Sequence, residues 1–258
     1  MRAHTAEMST SPKTPPATKQ TTPTWNNELE LHAKGYRLVA GVDEAGRGAW
    51  AGPLVAGAVI FRHPNEVISS GTADDLLEAL SYLKDSKLLS ALIREKLLPA
   101  IESLALATGV GIVSPGLVDV IGVGPANRLA MSRAVRDLGV WPDFLLLDAF
   151  RVPSMPIPQR PIIKGDATCM SIAAASIVAK VARDHIMCGH DTDYPGYSFA
   201  QHKGYGTRMH VNALSTLGVS PLHRRSYAPI KAIMLGLPWP PPREAAAEEE
   251  TAQVEQAE

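Results

Sequence analysis

Apolar residues along the chain fall into short runs, and the period within each run predicts an element. Tyr36-Arg-Leu-Val-Ala-Gly-Val42 and Pro53-Leu-Val-Ala-Gly-Ala-Val-Ile-Phe61 are of strand length, and the short glycine-rich link between them predicts an antiparallel hairpin. Asp74 to Leu83 reads as a helix. Ser90 then caps an amphipathic helix with Ile93, Leu97, Leu98, Ile101 and Leu104 at helical spacing. Thr108 to Val113 is a strand. Ser114-Pro115 opens a short helix, interrupted by Gly122 and Gly124-Pro125, and a longer helix runs to about Leu138 before Gly139. Phe144 to Leu147 is a buried strand ending in Asp148, and Pro161-Ile-Ile-Lys164 is another, ending at Gly165-Asp166. An alanine-rich helix runs from Met170 to about Met187, and helices at Gly206–Leu217 and Pro229–Leu235 close the pattern. Strands alternating with helices after an initial hairpin predict an α/β fold: a mixed central sheet flanked by helices, with a helical C-terminal portion.

Composition sets the boundaries of that domain. The 258 residues suffice for one substantial core, and 45% hydrophobic with 20% charged residues is ordinary for a globular protein. Residues 1–27, rich in Thr, Pro and Ser, are expected to be a disordered extension, 28–235 the folded domain, and 236–258 a Pro-rich then acidic disordered tail. No apolar run approaches the roughly 18–20 residues of a membrane span, so a cytoplasmic monomer is expected. Cys169 and Cys188 do not make a disulfide framework and both read as inert core thiols. The net charge of −1 conceals a segregation: from Tyr194 to Pro242 there is no acid, while Lys203, Arg208, Arg224, Arg225 and Lys231 are present. A one-signed stretch of that length favours an anionic partner.

The chemistry is concentrated at strand ends. Asp43-Glu44, Asp148 and Asp166 each follow an apolar run. One acid in such a place is ordinarily a helix cap, and Asp166 could cap the helix that follows. Three strand ends behaving alike point instead to converging carboxylates, hard ligands that suit Mg²⁺ or Mn²⁺. Two such ions would promote phosphodiester hydrolysis. Neighbouring strand residues point to opposite faces, so either the strand breaks at Glu44 or one of the two acids acts differently. Gly46-Arg47-Gly48 lets a backbone approach a sugar or phosphate and adds a cationic fork. Asp85-Ser86-Lys87 offers a hydroxyl and an ammonium to phosphate. Ser176, Lys180 and Arg183 fall on one polar stripe, which a solvated face would explain equally well. Tyr205, in His202-Lys-Gly-Tyr-Gly-Thr207, is an aromatic between glycines that can stack on a sugar or base.

Taken together these motifs resemble the type 2 ribonucleases H, specifically bacterial ribonuclease HII. The resemblance covers about residues 36–232 and rests on Gly41-Val-Asp-Glu-Ala-Gly-Arg-Gly48, Asp85-Ser-Lys-Leu-Leu-Ser90, Lys164-Gly-Asp166 and Ser171-Ile-Ala-Ala-Ala-Ser-Ile-Val-Ala-Lys180. Tyr194-Pro-Gly-Tyr197, His202–Thr207 and His223-Arg-Arg-Ser226 continue it in order. It implies a ribonuclease H-like fold and endonucleolytic cleavage of RNA in RNA/DNA hybrids. It also implies incision at single ribonucleotides in duplex DNA, leaving 3′-hydroxyl and 5′-phosphate ends. Residue by residue, it implies Asp43, Glu44, Asp148 and Asp166 as catalytic, metal-binding acids for two Mn²⁺ or Mg²⁺ ions. Gly46, Arg47 and Gly48 would read the 2′-hydroxyl, Tyr205 would stack at the RNA–DNA junction, and Ser86, Lys87, Lys164, Lys180 and Arg183 would contact substrate. The chain departs from the family pattern at Asp148-Ala149, where the family carries Asp-Gly, so that turn must tolerate a Cβ. It departs again at Gly122-Val123 and Ala126-Asn127, positions not expected to touch the four acids. An actin-like phosphate binder also places an Asp near glycines after its first strand, but the segment 202–207 argues against it.

Overall fold

The computed structural model describes residues 22–69, 90–237 and 239. Ser86, Lys87, the helix expected at 74–83 and most of the two expected tails lie outside these residues. The sheet is built from β1 (Val39–Ala45), β2 (Leu54–Phe61), β3 (Ala105–Val113), β4 (Phe144–Asp148) and β5 (Gln159–Ile162), in the order β3-β2-β1-β4-β5. The hairpin is present: β1 pairs antiparallel with β2, and β2 with β3. On the other side β1 runs parallel to β4, and β4 to β5. The sheet is therefore mixed, as the alternation of runs predicts.

Helices preceding and following the strands are α1 (Asn26–Ala33), α2 (Pro64–Ser69), α3 (Ala91–Leu104), α4 (Pro115–Ile121), α5 (Val123–Asp137) and α6 (Met170–Asp193). Ser90 caps α3 by accepting from the Ile93 N–H, as its position suggested. α5 covers one face of the sheet, where Ala40, Val42, Leu145 and Leu147 pack with Ala130, Met131 and Ala134. α6 covers the other, where Val59 and Phe61 pack with Ala174, Ala175 and Ile177, and Val39, Phe144 and Leu146 with Ile172. Burial on both faces explains why β2 is apolar along its whole length.

α6 lies unusually close to the sheet, which is what its alanines and two strand glycines allow. A Cβ on Gly41 would stand 2.2 Å from the carbonyl carbon of Ser171, and one on Gly57 would stand 2.3 Å from the carbonyl oxygen of Ala175. Because the obstructing atoms are main chain, no rotamer change could relieve the clash. The close seat holds the polar positions of α6 over the carboxyl ends of β1 and β4.

Past α6 come α7 (Phe199–His202), α8 (Arg208–Leu217) and α9 (Ala228–Met234), which close over Ala51, Met187 and Phe199 in a smaller core. Two expectations are corrected here. β5 stops at Ile162, and Asp166 sits on a separate 3₁₀ turn, Gly165–Ala167, entered through Lys164 in a left-handed conformation (φ 55°). Cys169 is buried, but Cys188 is exposed on α6 and is not a core thiol. Among the described residues no helix is long and apolar enough to cross a membrane.

Candidate active site

The carboxyl ends of β1 and β4 open into a cavity of about 290 Å³ lined by Asp43, Glu44, Asp148 and Asp166, with Arg94, Ser176, Lys180 and Tyr205 around them. The parallel register places Val42 beside Leu147, so the next residues, Asp43 and Asp148, emerge side by side. Both are on the α6 face. Asp43 is buried, accepts the Glu44 N–H at 2.7 Å and is hydrogen-bonded by Ser176 of α6. Asp148 accepts the Gly165 N–H at 2.8 Å, which ties it to the turn that carries Asp166.

Glu44 resolves the alternation problem in a way the sequence left open. The strand does not break there: β1 runs on to Ala45, with Glu44 paired to Ala56 of β2. Glu44 leaves on the α5 face, where Asn127 hydrogen-bonds it and Arg47 lies 3.5 Å from its Oε1. Its longer stem nevertheless reaches round the end of the sheet. One carboxylate oxygen from each of Asp43, Glu44 and Asp148 falls within 4.8 Å of the others. Asp166 lines the same cavity without joining that trio. Asn127 was not expected to touch the acids, and it does.

Electrostatics make this cluster uncomfortable without a cation. Burial, and then the charges of Glu44 and Asp148, push the Asp43 carboxyl well above the usual range. Burial also raises Glu44, with Arg47 and Asn127 opposing it and Asp148 adding to it. Glu44 Oε2 is buried and has no hydrogen-bond partner among the described residues. Clustered oxygen ligands, suppressed ionisation and an orphaned buried oxygen are together what a divalent cation would satisfy. The donor set is hard and fits Mg²⁺ or Mn²⁺.

Beside the acids the chain turns sharply at Gly46 (φ +87°), where a Cβ would stand 2.0 Å from Arg183 Nε. The loop is pinned from beneath. Arg224 donates from Nη1 to the carbonyls of Gly46 (2.7 Å) and Arg47 (3.1 Å), and from Nε and Nη2 to that of Gly52 (3.1 and 3.0 Å). The Tyr227 hydroxyl donates to the Arg47 carbonyl at 2.6 Å. The Arg47 side chain stays about half exposed and lies 4.9 Å from the Phe150 ring. Phe150 follows Ala149, whose φ of +56° is the strained position that the Asp148-Ala149 departure foreshadowed.

The sequence profile of the family described as Ribonuclease HII matches residues 40–230, the span that holds every element of this site. The chain belongs to the ribonuclease HII family. It is thereby an endonuclease of the type 2 ribonuclease H class. The ribonuclease HII of Dehalococcoides mccartyi strain 195 is 47% identical over 211 residues, covering 82% of this chain and 95% of that one. Among solved structures, ribonuclease H2 from Pyrococcus horikoshii OT3 superposes with a TM-score of 0.61 at 25% identity, covering 77% of this chain and 97% of that one. Bst-RNase HIII in complex with Mn²⁺ shares the fold, with a TM-score of 0.58 at 18% identity and coverage of 85% and 76%.

Not every basic residue read from the ribonuclease HII resemblance is where a ligand could meet it. Lys180 is: it lines the cavity, held at 2.7 Å by Asp184. Lys164 is exposed on the turn that leads to Asp166. Arg183 is not. It is fully buried, donates from Nε and Nη2 to the carbonyls of Pro53 and Ala51, and has its ionisation lowered to about 10, chiefly by burial. Its guanidinium lies 5.2 Å from the Tyr205 ring, so it supports that ring from behind and does not itself face a phosphate. Arg224, counted with the basic surface, is likewise buried and spent on carbonyls. Sequence reasoning passed over Arg94, which lines the cavity from α3 and pairs with Asp184 at 3.3 Å. Its clue was an arginine on the otherwise apolar face of a capped helix.

Proposed function

We propose that the chain is an endoribonuclease that hydrolyses the RNA strand of RNA/DNA hybrids and incises at single ribonucleotides embedded in duplex DNA. It would leave 3′-hydroxyl and 5′-phosphate ends. The observation that carries this reading is that the Asp43–Glu44–Asp148 cluster shares its cavity with Gly46 and Tyr205. Acids alone would serve many hydrolases. Acids beside a glycine loop and an aromatic suit a sugar that must be read before its phosphate is cut.

Asp43, Glu44, Asp148 and Asp166 would hold two divalent cations, Mg²⁺ or Mn²⁺, which when bound generate a nucleophile from water near neutral pH and neutralise charge on the phosphate. Mn²⁺ in Bst-RNase HIII, which shares the fold, supports that choice of ion. The chain's own work is placement. The Glu44 N–H and Ser176 orient Asp43, and the Gly165 N–H orients Asp148, so neither carboxylate must reorganise when a ligand arrives. The carbonyls of Gly46 and Arg47 are turned toward Arg224 and Tyr227, so the loop offers its N–H groups to a 2′-hydroxyl. Arg47, braced by Phe150, and Lys180, braced by Asp184, would meet backbone phosphates, with Lys164, Ser86 and Lys87 extending the contact. Tyr205 would stack on the sugar at the junction.

The test is cleavage of three matched duplexes: all DNA, DNA with one ribonucleotide, and an RNA/DNA hybrid. Cutting of the second and third with none of the first is expected. Equal cutting of the all-DNA duplex would overturn the reading, as would no cutting of any by folded protein in Mg²⁺ or Mn²⁺.

A further inference from the structure

Behind Tyr205 lies a group of side chains that the carboxylate cavity does not use. His202 ends α7, His210 sits in α8 and His223 precedes α9, yet all three are buried against one another. The rings of His202 and His210 stack with centroids 4.3 Å apart, and His210 and His223 meet Nε2 to Nε2 at 2.9 Å.

Their partners determine where each proton sits. The Ser220 main-chain N–H donates to His223 Nδ1 at 3.0 Å, so that nitrogen is an acceptor and the proton is on Nε2. His223 Nε2–H then donates to His210 Nε2, which leaves the His210 proton on Nδ1. That N–H donates to the main-chain carbonyl of Tyr205 at 3.0 Å. His202 follows the same rule: it accepts the Gly204 N–H at Nδ1 (3.1 Å) and donates from Nε2 to the Tyr197 carbonyl (2.7 Å). Burial agrees with this neutral chain, pulling His210 down to about 3 and His223 to about 4. The chain has one direction only, because a second proton on either ring would set N–H against N–H.

The turn at its end is held at several points, and the relay is the side-chain one: the Tyr205 N–H donates to the His202 carbonyl (2.9 Å), and the Tyr205 carbonyl also accepts the Thr207 N–H (2.8 Å). Tyr205 is flanked by Gly204 (φ +81°) and Gly206, which give it no stiffness of their own. From the other side the Gly204 carbonyl accepts from the N–H groups of Trp50 (2.8 Å) and Ala51 (3.2 Å), just past the Gly46–Gly48 loop. Among the described residues, the cations over the Tyr205 ring are those of Lys180 (5.4 Å) and Arg183 (5.2 Å).

We propose that the Ser220–His223–His210 relay is a positioning device for Tyr205, setting the height of its main chain so that the ring meets the ribonucleotide beside the acids. His210 and His223 are positioning residues in this account. The account rests on the reading of Tyr205 as a substrate contact.

The experiment is a double-mutant cycle in kcat/KM on the single-ribonucleotide duplex, with thermal melting alongside. His210→Leu should lower kcat/KM on the order of tenfold. His210→Asn, which keeps a donor near the Nδ1 position, should recover most of that loss. In a Tyr205→Ala background His210→Leu should cost nothing further, because the relay then has no ring to place. If His210→Leu does not fold, His223→Asn, which keeps the Ser220 bond and breaks the link to His210, takes its place in the same cycle. Full, multiplicative losses in the Tyr205→Ala background would overturn the relay alone. An unchanged kcat/KM for Tyr205→Ala itself would overturn the substrate reading of Tyr205, and the relay's role with it.

Discussion

Asp43→Asn should abolish cleavage, by about a thousandfold or more, while leaving duplex affinity within a few-fold of the parent. Removing one anionic ligand from a divalent-cation site forfeits several kcal/mol of transition-state stabilisation, and about 4 kcal/mol is already three orders of magnitude. Shape is not the issue, because an Asn oxygen can still accept the Glu44 N–H that Asp43 accepts at 2.7 Å. Binding survives because affinity for a duplex comes mainly from phosphate contacts, and none of those is assigned to Asp43. The stability readout is as informative as the rate. The Asp43 carboxylate is disfavoured by burial and by Glu44 and Asp148, so without divalent cations the variant should melt no lower than the parent. Single-turnover cleavage, a mobility shift and a melt in chelator measure all three. Residual cleavage above about one per cent, or a large loss of binding, would remove Asp43 from the centre of the chemistry.

Arg224→Met should lower both stability and activity, and for one reason. Met fills a similar length but donates nothing, so the Gly52 carbonyl loses both of its bonds from the buried Arg224 guanidinium, and the carbonyls of Gly46 and Arg47 lose one donor each. An unpaired buried carbonyl costs on the order of 1–3 kcal/mol. The Ala49 N–H at Gly46 and the Tyr227 hydroxyl at Arg47 remain as partial relief, which leaves an expected loss of roughly 2–4 kcal/mol. For a domain of this size that lowers the melting midpoint by about 10 °C. Cleavage should fall even at temperatures where the variant is fully folded, because the Gly46–Gly48 loop loses its floor. Arg224→Lys should restore little, since one ammonium cannot address three carbonyls in a fork. A variant that melts early but cleaves at the parental rate below its midpoint would separate the loop from catalysis.

Much of this arrangement is legible in the sequence. The strand runs ending in Asp43-Glu44 and Asp148 locate β1 and β4, the period of residues 93–104 locates α3, and the alternation argument puts Asp43 and Glu44 on opposite faces, where they are. What alternation could not show is that a glutamate at the last turnable position of a strand can bring its carboxylate back round the sheet end. That depends on the parallel register of β1 with β4, which no local pattern encodes. Burial of cations was the other blind spot. Arg183 has Ala179 and Met187, both buried, four residues before and after it on the same side of α6, and that apolar company was the available signal. Arg224 offered no such signal: its partners are main-chain carbonyls some 170 to 180 residues earlier in the chain. Asn127 read as an incidental departure because its distance from Glu44 exists only once α5 has folded across the sheet.

The most direct test of the carboxylate centre is the chemistry of the cut ends. A duplex with one ribonucleotide is incubated with the full chain in Mg²⁺, in Mn²⁺ and in chelator, and both termini at the break are identified. Cation-dependent incision leaving a 3′-hydroxyl and a 5′-phosphate is predicted, because in the proposed function the acids would act through ions on a water nucleophile. Incision that persists in chelator, or a 2′,3′-cyclic phosphate end, would make the ribose hydroxyl the nucleophile and contradict the account.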